Sequence, residues 1–295
     1  MQNSPLVSVI CLCYNHAKFV EAALNSVLNQ TYQNIELLIA DDCSSDDSEQ
    51  VIKKWLQQHP GIVFISNPAN IGNTKTFNKL LQLAKGDYII DLAADDVLLP
   101  HCIEKQLYTF QNTKHKNVGI VYGNAELISE ENKPLGYYYN QDQNGKIENL
   151  PPSGDIYLSV LSQSHKICSV SSLIKRDVLE SLSGYDENLA YEDLDLWVRA
   201  SRYYHFDFIE DTLVQKRIAV NSLGSQFYNR FNSRTRKINH SSYLVIKKAI
   251  RQNKNTEENK ALLKRLHFEM FKSYKSFDIL LFLKYIILEL KLRFS

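Results

Sequence analysis

Apolar residues in the first hundred positions occur in two alternating patterns. Short continuous runs rich in β-branched residues lie at 6–13, 35–40, 62–65 and 88–92, and such runs are typical of strands that are buried on both faces. Between these runs, apolar residues recur every three or four positions, which is the spacing of a helix with one buried face. Four alternating strand and helix units predict a parallel, right-handed, doubly wound α/β sheet.

The same two patterns continue beyond residue 100. They predict a helix over about 100–111, strands at 118–122 and 169–174, and a helix over 191–199. The predicted sheet therefore extends past its first four strands.

Residues 130–154 contain few aliphatic side chains but include Tyr137, Tyr138 and Tyr139. Consecutive aromatic rings among Asn and Gln are suited to stacking on a sugar and hydrogen bonding to it. A solvent-exposed hairpin is the alternative interpretation, and we keep both.

Composition and charge limit the number of domains and the kinds of partner that we expect. With 295 residues, 44% of them hydrophobic, the chain is long enough for one large domain, alone or with an appendage. The net charge of +1 hides an asymmetry, because residues 230–295 carry 16 Lys and Arg against 5 Asp and Glu, whereas residues 1–229 carry 18 against 28. The basic C-terminal region predicts an anionic partner, and a bilayer fits as well as nucleic acid does. A solvated helical face is the alternative.

This asymmetry divides the chain into two predicted domains, residues 1–222 and a basic helical region over 223–295. Residues 277–294 are mostly apolar, but five charged residues interrupt them, so the segment carries too much charge to cross a bilayer comfortably. We expect the region to dock on the anionic inner leaflet of a membrane. Packing against the first domain or against a second copy of the chain is the alternative.

The N-terminal residues and the cysteines indicate a compartment. The chain starts without a basic segment followed by a small-residue cleavage site, so we expect a cytoplasmic protein. The cysteines form no C-x-x-C pair and have no His at zinc-ligand spacing, so we expect buried thiols with neither a disulfide nor a structural zinc. They are Cys11, Cys13, Cys43, Cys102 and Cys168.

An acidic pair, Asp95 and Asp96, follows the predicted strand at 88–92. In open α/β sheets, ligands gather outside the carboxyl ends of the strands. Adjacent carboxylates repel each other, and a hard divalent cation that shares them also takes water and substrate phosphate. The pair therefore predicts a metal and phosphate site. An N-cap for a helix starting at residue 97 is the alternative.

The predicted helix over 191–199 carries two aspartates with different neighbours. Residues four apart share a face, so Asp195 lies beside Arg199 and Asp193 beside Trp197. We interpret Asp195 and Arg199 as a supporting ion pair. Asp193 is a candidate general base, because a neighbouring indole excludes water and raises the pKa of the carboxyl. An acid that only complements the helix dipole is the alternative.

Motifs from about Leu6 to Arg217 together resemble the family 2 glycosyltransferases, of the type that builds bacterial cell-surface polysaccharide. They are VSVICLCYNH at 7–16, SVLNQTY at 26–32, IADDCSSD at 39–46, NIG at 70–72, GDY at 86–88, DD at 95–96, GYDE at 184–187 and ED at 192–193. The resemblance implies a GT-A fold, a doubly wound mostly parallel sheet flanked by helices, followed here by a C-terminal helical appendage. It also implies inverting, metal-dependent transfer of a hexosyl or N-acetylhexosaminyl group from a nucleotide sugar, expected to be UDP-linked.

The resemblance implies roles for individual residues, with Asp41 and Asp42 at the nucleobase. It implies donor binding by Tyr14, Asp41, Asp42, Asn70, Gly72 and Asp95, binding of Mn²⁺ or Mg²⁺ by Asp95 and Asp96, acceptor binding by Gly184, Glu192 and Trp197, and base catalysis by Asp193. The expected partners are the donor, a glycan or lipid-linked acceptor, and either the inner face of the cell membrane or a second copy through the C-terminal helices. Nucleic acid is not an expected partner.

The chain departs from the family pattern in the strands that carry the site. Leu12 and Cys13 replace the usual Pro and Thr of the first strand. Ala93 replaces the first Asp of the usual D-x-D, although Asp91 points to the same side of an extended strand. We therefore expect metal binding to rely on fewer carboxylates.

Two further departures concern phosphate binding and leave other functions open. Phe77 stands where an Arg is common, and Ala219 stands near where a His often follows the last strand, so another cation is needed to bind phosphate, with Lys75 as a candidate.

A nucleotide-sugar binding protein without transferase activity is one alternative function, but the retained Asp193 argues against it because a pure binder needs no base. A nucleotidyltransferase is the other, but the chain has no Gly-rich loop ending in Lys or Arg.

Overall fold

The computed structural model describes residues 4–218 and 232–294. Contacts divide the chain into two compact units. The sheet unit contains Met1–Gly154, Ile167–Tyr185 and Tyr204–Ile218, and the helical unit contains Asp155–Lys166, Asp186–Tyr203 and Ala219–Ser295. The domain boundary predicted after residue 222 lies outside the described residues and stays a prediction, and Ala219 also lies outside them.

Strands and helices alternate along the sheet unit, and we number both in chain order over the whole chain. The strands are β1 (Val7–Cys13), β2 (Ile35–Asp41), β3 (Val63–Ser66), β4 (Tyr88–Ala93), β5 (Val97–Leu98), β6 (Val118–Ile128), β7 (Pro134–Tyr137), β8 (Leu173–Lys175) and β9 (His205–Arg217). The helices of this unit are α1 (Val20–Leu28), α2 (Ser48–Gln58), α3 (Asn73–Leu81), α4 (Cys102–Asn112) and α6 (Arg176–Ser181).

The strands form one sheet in the order β3-β2-β1-β4-β8-β6-β9-β5, with β7 paired to β6. Strands β3, β2, β1 and β4 are parallel, and so are β6 and β9. Strand β8 runs antiparallel between β4 and β6, and β5 and β7 are also antiparallel to their partners. The predicted fold, a mostly parallel α/β sheet flanked by helices, is confirmed.

The continuous apolar run of β1 follows from its place in the sheet. It pairs with β2 on one edge and β4 on the other, and helices α1 and α3 pack against it. All seven of its residues are buried, so polar side chains would find no water on either face. In α1, the apolar side chains Val20, Ala23, Leu24 and Val27 are buried at helical spacing, as the sequence pattern predicts.

The strand predicted at 169–174 is mostly wrong. Ser169–Ser171 forms a 3₁₀ turn, and only Leu173–Lys175 is a strand. The hydroxyl Oγ of Ser171 lies 2.7 Å from the Gly123 carbonyl and 2.8 Å from the Cys168 carbonyl, so its single proton is shared between two backbone acceptors. Serine side chains that bind nearby backbone groups compete with strand pairing, which a pattern of apolar residues does not reveal.

The tyrosine segment forms a hairpin of β6 and β7. Tyr137 is 39% exposed, but Tyr138 and Tyr139 are partly buried and pack against the hydrophobic core. The Tyr138 hydroxyl donates to the Ile167 carbonyl at 3.1 Å, and the Tyr139 hydroxyl accepts from Cys168 N at 3.1 Å. The structure therefore favours the hairpin, with two of its rings serving the fold.

The expectation of buried thiols holds for four of the five cysteines. Cys11, Cys13, Cys102 and Cys168 are buried. Cys43 is exposed, because it occupies the turn after β2 with a φ of +60°. For this residue the expectation is wrong.

The helical unit consists of α-helices with polar caps at several N-termini. Its helices are α5 (Tyr157–Ser162), α7 (Asp193–Ser201), α8 (Ser233–Gln252), α9 (Thr256–Lys275) and α10 (Ile279–Phe294). Asn232 and Asn255 accept hydrogen bonds from the first-turn amides of α8 and α9. The helical character predicted for the C-terminal region is confirmed over 233–294. Among the described helices, none combines the length and the apolar character that crossing a membrane requires.

Candidate active site

Strand pairing brings three loops to one edge of the sheet. Strand β1 pairs in parallel with β2 and β4, with Cys13 opposite Asp41 and Leu12 opposite Ala93. The carboxyl ends of the three strands are therefore nearly level, and the loops that follow them begin at the same edge. Of the donor-site residues predicted from the sequence, Tyr14, Asp42 and Asp95 lie in these loops and Asp41 ends β2, whereas Asn70 and Gly72 follow β3.

Hydrogen bonds tie together the loops that follow β1 and β2. The Asn15 side chain accepts from Ser45 N at 2.7 Å and Ser45 Oγ at 3.1 Å, and Asn15 N donates to Ser44 Oγ at 2.9 Å. The buried Asp41 carboxylate accepts from Ser44 N at 2.8 Å and from Ser44 Oγ at 2.5 Å. Tyr14 is 47% exposed, so its ring is accessible beside backbone that these bonds hold in place.

The buried Asp42 carboxylate holds the loop that precedes α3. Its Oδ1 accepts from Asn67 Nδ2 at 2.9 Å, Ile71 N at 3.0 Å and Thr76 Oγ1 at 3.1 Å, and its Oδ2 accepts from Gly72 N at 2.8 Å. Four donors fix the carboxylate and leave it little capacity for another partner. Asp42 therefore has a structural task in the protein alone, and its contact with a nucleobase stays a prediction.

The rest of the α3 loop follows from that anchor. Asn67 also accepts from Lys79 Nζ at 3.1 Å, so a cation lies at this loop. Gly72 adopts a φ of +92°, a backbone conformation that favours glycine. Asn70 and Lys75 are exposed on either side of Gly72 and are accessible to a ligand.

The acidic pair lies in the turn between β4 and β5. Asp96 is 3% exposed, and its Oδ1 accepts from Arg217 N at 2.8 Å. Burial, together with the negative charge of Asp95, raises the pKa of Asp96 to about 7. Residue 97 begins strand β5 and not a helix, so the N-cap interpretation of the pair is wrong.

Sequence reasoning missed Arg217, the last residue of β9. Its guanidinium is buried, donates from Nε to the Asp95 carbonyl at 3.0 Å and from Nη1 to the Ser129 carbonyl at 2.7 Å, and lies 4.3 Å from the Phe19 ring centroid. Arg217 thus fixes the turn that carries the acidic pair. In the sequence, Arg217 is only the second of two adjacent basic residues, after Lys216, and such pairs are common.

The side chains around Asp95 fit a divalent cation. The buried Nδ1 of His16 has no hydrogen-bond partner among the described residues and lies 3.7 Å from Asp95 Oδ1. Two crowded carboxylates and an unsatisfied imidazole nitrogen are groups that a cation would stabilise. No cluster of three or more His, Cys, Asp or Glu suited to a metal occurs in the described part of the chain. An ion here would therefore take few protein ligands and complete its shell with water and phosphate oxygens, as Mg²⁺ commonly does.

Asp91, the substitute considered for the missing acid of the D-x-D, has a structural partner. The Tyr185 hydroxyl donates to Asp91 Oδ2 at 2.9 Å, and the Tyr185 ring centroid lies 4.5 Å from that of Phe77. Asn78 makes two hydrogen bonds of 2.9 Å with the Tyr185 backbone. Gly184 has a φ of +69°, and a Cβ there would lie 2.4 Å from Asn78 Oδ1, so the position requires glycine whether or not it contacts an acceptor.

In the helical unit, α7 carries the candidate base. Asp193 is the first residue of this helix and is partly exposed. The predicted ion pair is confirmed, because Arg199 Nε donates to Asp195 Oδ2 at 2.6 Å. Lys248 of α8, which sequence reasoning missed, donates to Asp195 Oδ1 at 2.7 Å and also binds Asp186. The buried Asp195 thus holds the helix that presents Asp193.

Two other residues predicted to bind the acceptor substrate, Glu192 and Trp197, are buried. Glu192 is 8% exposed and stands immediately before the first residue of the helix, and Trp197 is 6% exposed. Each has little surface for a large ligand within its own unit. Their contacts with an acceptor stay predictions.

Comparison with known proteins identifies a family for this arrangement. The family model described as "Glycosyl transferase family 2" matches residues 8–183. An uncharacterized glycosyltransferase of Methanocaldococcus jannaschii is 30% identical, over 73% of this chain and 72% of that protein. An uncharacterized glycosyltransferase of Haemophilus influenzae is 26% identical, over 97% of this chain and 92% of that protein.

Solved structures with low sequence identity share the fold. TarS 1-349 of S. aureus, in complex with UDP-GlcNAc, has a TM-score of 0.67 at 14% identity, over 93% of this chain and 75% of that one. The mannosyltransferase PcManGT from Pyrobaculum calidifontis, in complex with GDP-Man and Mn²⁺, has a TM-score of 0.62 at 16% identity, over 93% of this chain and 73% of that one.

The hydrogen bonds of Asp42 predict a loss of stability in the absence of any ligand. Asp42→Ala removes the acceptor of four donors, several of them buried, and should lower the free energy of unfolding by about 2–4 kcal/mol. Urea unfolding followed by circular dichroism measures the change. The control is Asp47→Ala, which removes an exposed carboxylate of the same loop that makes no capping bond. Equal midpoints for the two variants would refute the structural role of Asp42.

Proposed function

The chain belongs to glycosyl transferase family 2 and is a glycosyltransferase, and we propose that it transfers a sugar from a UDP-linked donor to a hydroxyl with inversion. The observation that carries the proposal is the edge of the sheet, where the loops after β1, β2 and β4 carry rigid polar groups and the acidic pair. The transferred sugar that we propose is a hexosyl or N-acetylhexosaminyl group.

The donor site we propose lies in the sheet unit. The exposed Tyr14 ring suits stacking on a base, and the two loops held by Asp41 and Asp42 supply fixed polar groups for the nucleotide. Asn70 and Gly72, next to exposed Lys75, suit contacts with the ribose and diphosphate. The bound UDP-GlcNAc and GDP-Man of the two structural neighbours support a nucleotide-sugar donor.

Asp95 is the metal ligand we favour, with Asp96 in support. Asp96 already accepts from Arg217 N, whereas Asp95 Oδ1 lies 3.7 Å from the imidazole nitrogen of His16, which has no hydrogen-bond partner among the described residues. Mn²⁺ or Mg²⁺ at this position would neutralise charge on the donor diphosphate as the nucleotide leaves. The Mn²⁺ of PcManGT supports the use of a divalent cation. Arg217 holds the turn through the Asp95 carbonyl, so Asp95 presents its carboxylate from fixed backbone.

Asp193 is the proposed general base. Its carboxylate accepts the proton of the acceptor hydroxyl while the hydroxyl oxygen attacks the anomeric carbon from the face opposite the nucleotide, and the bond from that carbon to the phosphate oxygen breaks. One displacement inverts the configuration. Base catalysis of this kind typically contributes about 10² to 10⁴ in rate, which is about 3–5 kcal/mol of the barrier. Lys248 of α8 donates to Asp195 and thereby ties α7 to α8, while Arg199 pairs with Asp195 within α7.

A glycan or a lipid-linked glycan of cell-envelope polysaccharide synthesis is the acceptor class we propose, with Gly184, Glu192 and Trp197 as acceptor-site residues. A lipid-linked acceptor lies in a membrane, so we propose that the protein works at the inner face of the cell membrane from the cytoplasm. The domain arrangement we propose is a catalytic domain over 1–222 and a basic helical region over 223–295. A homodimer through the C-terminal helices is the competing arrangement.

Replacing the base tests the reaction. Asp193→Asn is nearly isosteric and should leave donor binding intact while lowering the transfer rate by about 10² to 10⁴. The control is Glu257→Gln, which neutralises a first-turn acid of α9 and should leave the rate unchanged. Transfer by Asp193→Asn within about threefold of the unchanged protein would refute the base. Donor binding without transfer by the unchanged protein would point to the binding-protein alternative.

Removing the metal tests the donor site. A chelator should weaken calorimetric binding of the nucleotide sugar, and Asp95→Ala should weaken it by at least about tenfold. Asp96→Ala should weaken it too and should also lower stability, because the buried Arg217 N loses its acceptor. The control Asp177→Asn removes an exposed carboxylate from α6. Donor binding that ignores the chelator would contradict the assignment.

A further inference from the structure

Helix α10 has two apolar faces, and the described residues cover only one of them. The covered face consists of Leu281, Tyr285, Leu288 and Leu292, all at most 5% exposed. The other face, which we call the apolar stripe, consists of Leu280, Leu283, Ile287 and Leu290, which are 49–76% exposed. The spacing of three and four residues places these four on one side of the helix. The sequence of this segment is therefore mostly apolar because apolar residues occupy both the covered face and the exposed face of α10.

A groove of about 490 Å³ lies beside the apolar stripe within the helical unit. Its lining combines three cations, Arg236 and Lys237 of α8 and Lys284 of α10, with apolar side chains that include Phe277 and Leu280. No ion pair joins any of these cations to a carboxylate of the described residues. Basic groups above an exposed apolar floor match a ligand with an anionic head and an apolar body.

Other ionisable groups near the groove leave its net charge positive. Asp278 also lines the groove, but its Oδ1 accepts from Leu281 N at 3.1 Å and serves as a cap for α10. Lys247 and Lys284 each lie 5.7 Å from the Tyr243 ring centroid. Burial and the positive charges of these two lysines lower the pKa of His240, which is in the lining. The groove therefore remains electropositive.

We propose that the apolar stripe and the basic groove dock this protein on an anionic bilayer. The stripe enters the boundary between headgroups and acyl chains, and Arg236, Lys237 and Lys284 receive the phosphate of an acidic phospholipid. Charge complementarity favours this occupant over a dimer through the same face, because such a dimer would bring two basic grooves of the same sign together. The docking serves the proposed lipid-linked acceptor, but it needs no donor and no transfer, so the two ideas can fail separately.

Vesicle sedimentation with the full chain, without nucleotide sugar, tests the proposal. The full chain should bind phosphatidylcholine vesicles that contain about 30% phosphatidylglycerol at low salt, and should release them at high salt. Pure phosphatidylcholine vesicles with added inorganic phosphate should not bind it. The proposal would be overturned if the protein sedimented with vesicles only when soluble phosphate was present. It would also be overturned if the protein sedimented equally with neutral and with anionic vesicles.

Two matched triple variants test the groove. Arg236→Gln, Lys237→Gln and Lys284→Gln together should weaken vesicle binding by about 100-fold, because each basic side chain near the surface contributes about fivefold. Lys54→Gln, Lys114→Gln and Lys116→Gln remove the same charge from exposed positions of the sheet unit and should weaken binding far less. Equal loss in both triple variants would show unspecific attraction and overturn the site.

A second pair of variants tests the stripe. Leu283→Glu with Ile287→Glu should abolish vesicle binding, whereas Leu83→Glu with Leu135→Glu, at comparably exposed positions of the sheet unit, should reduce it only slightly. Circular dichroism checks that all variants are folded. The proposal would be overturned if the full chain did not bind the vesicles and was a dimer in analytical ultracentrifugation, while the Leu283→Glu with Ile287→Glu variant was a monomer. That result would assign the stripe to a contact with a second copy.

Discussion

The level pairing of β1 with β2 and β4 is the constraint on which the sheet unit depends. Parallel neighbours in this register end together, so the polar residues that terminate each strand are forced to one edge. Buried side chains along β1 make the register costly to shift, because both faces of the strand are packed and a slip of one residue would disturb the packing on each. The acidic loops therefore meet as a consequence of how the core packs.

Neighbouring carboxylates at that edge differ in what already binds them. Asp42 accepts four hydrogen bonds and holds the α3 loop, and Asp96 accepts the amide of Arg217. Asp91 accepts the Tyr185 hydroxyl. Asp95 faces a buried imidazole nitrogen at 3.7 Å, too far for a hydrogen bond. A carboxylate with spare acceptor capacity is the one suited to a cation, and this difference distinguishes the proposed ligand Asp95 from the carboxylates that build its surroundings.

Local patterns predicted much of this protein, and long-range contacts limited the rest. The strands before the acidic pair and the Asp195–Arg199 pair could be predicted, since each depends on residues close in sequence. Arg217 could not, because its partner Asp96 is 121 residues away and the pattern of a strand says nothing about its neighbour. Lys248 was missed for the same reason, at 53 residues from Asp195. The two faces of α10 also needed the structure, because the sequence does not show which apolar side is covered.

The central claim is that the edge of the sheet unit binds a nucleoside diphosphate through a cation at Asp95. A crystal structure of the protein with UDP and Mn²⁺, with diffraction data collected at the manganese absorption edge, tests it most directly. We expect an anomalous peak about 2.0–2.6 Å from an Asp95 carboxylate oxygen, next to the diphosphate, with the uracil near Tyr14 and the loop held by Asp42. UDP bound elsewhere, or bound at this edge with no metal at Asp95, would contradict the account.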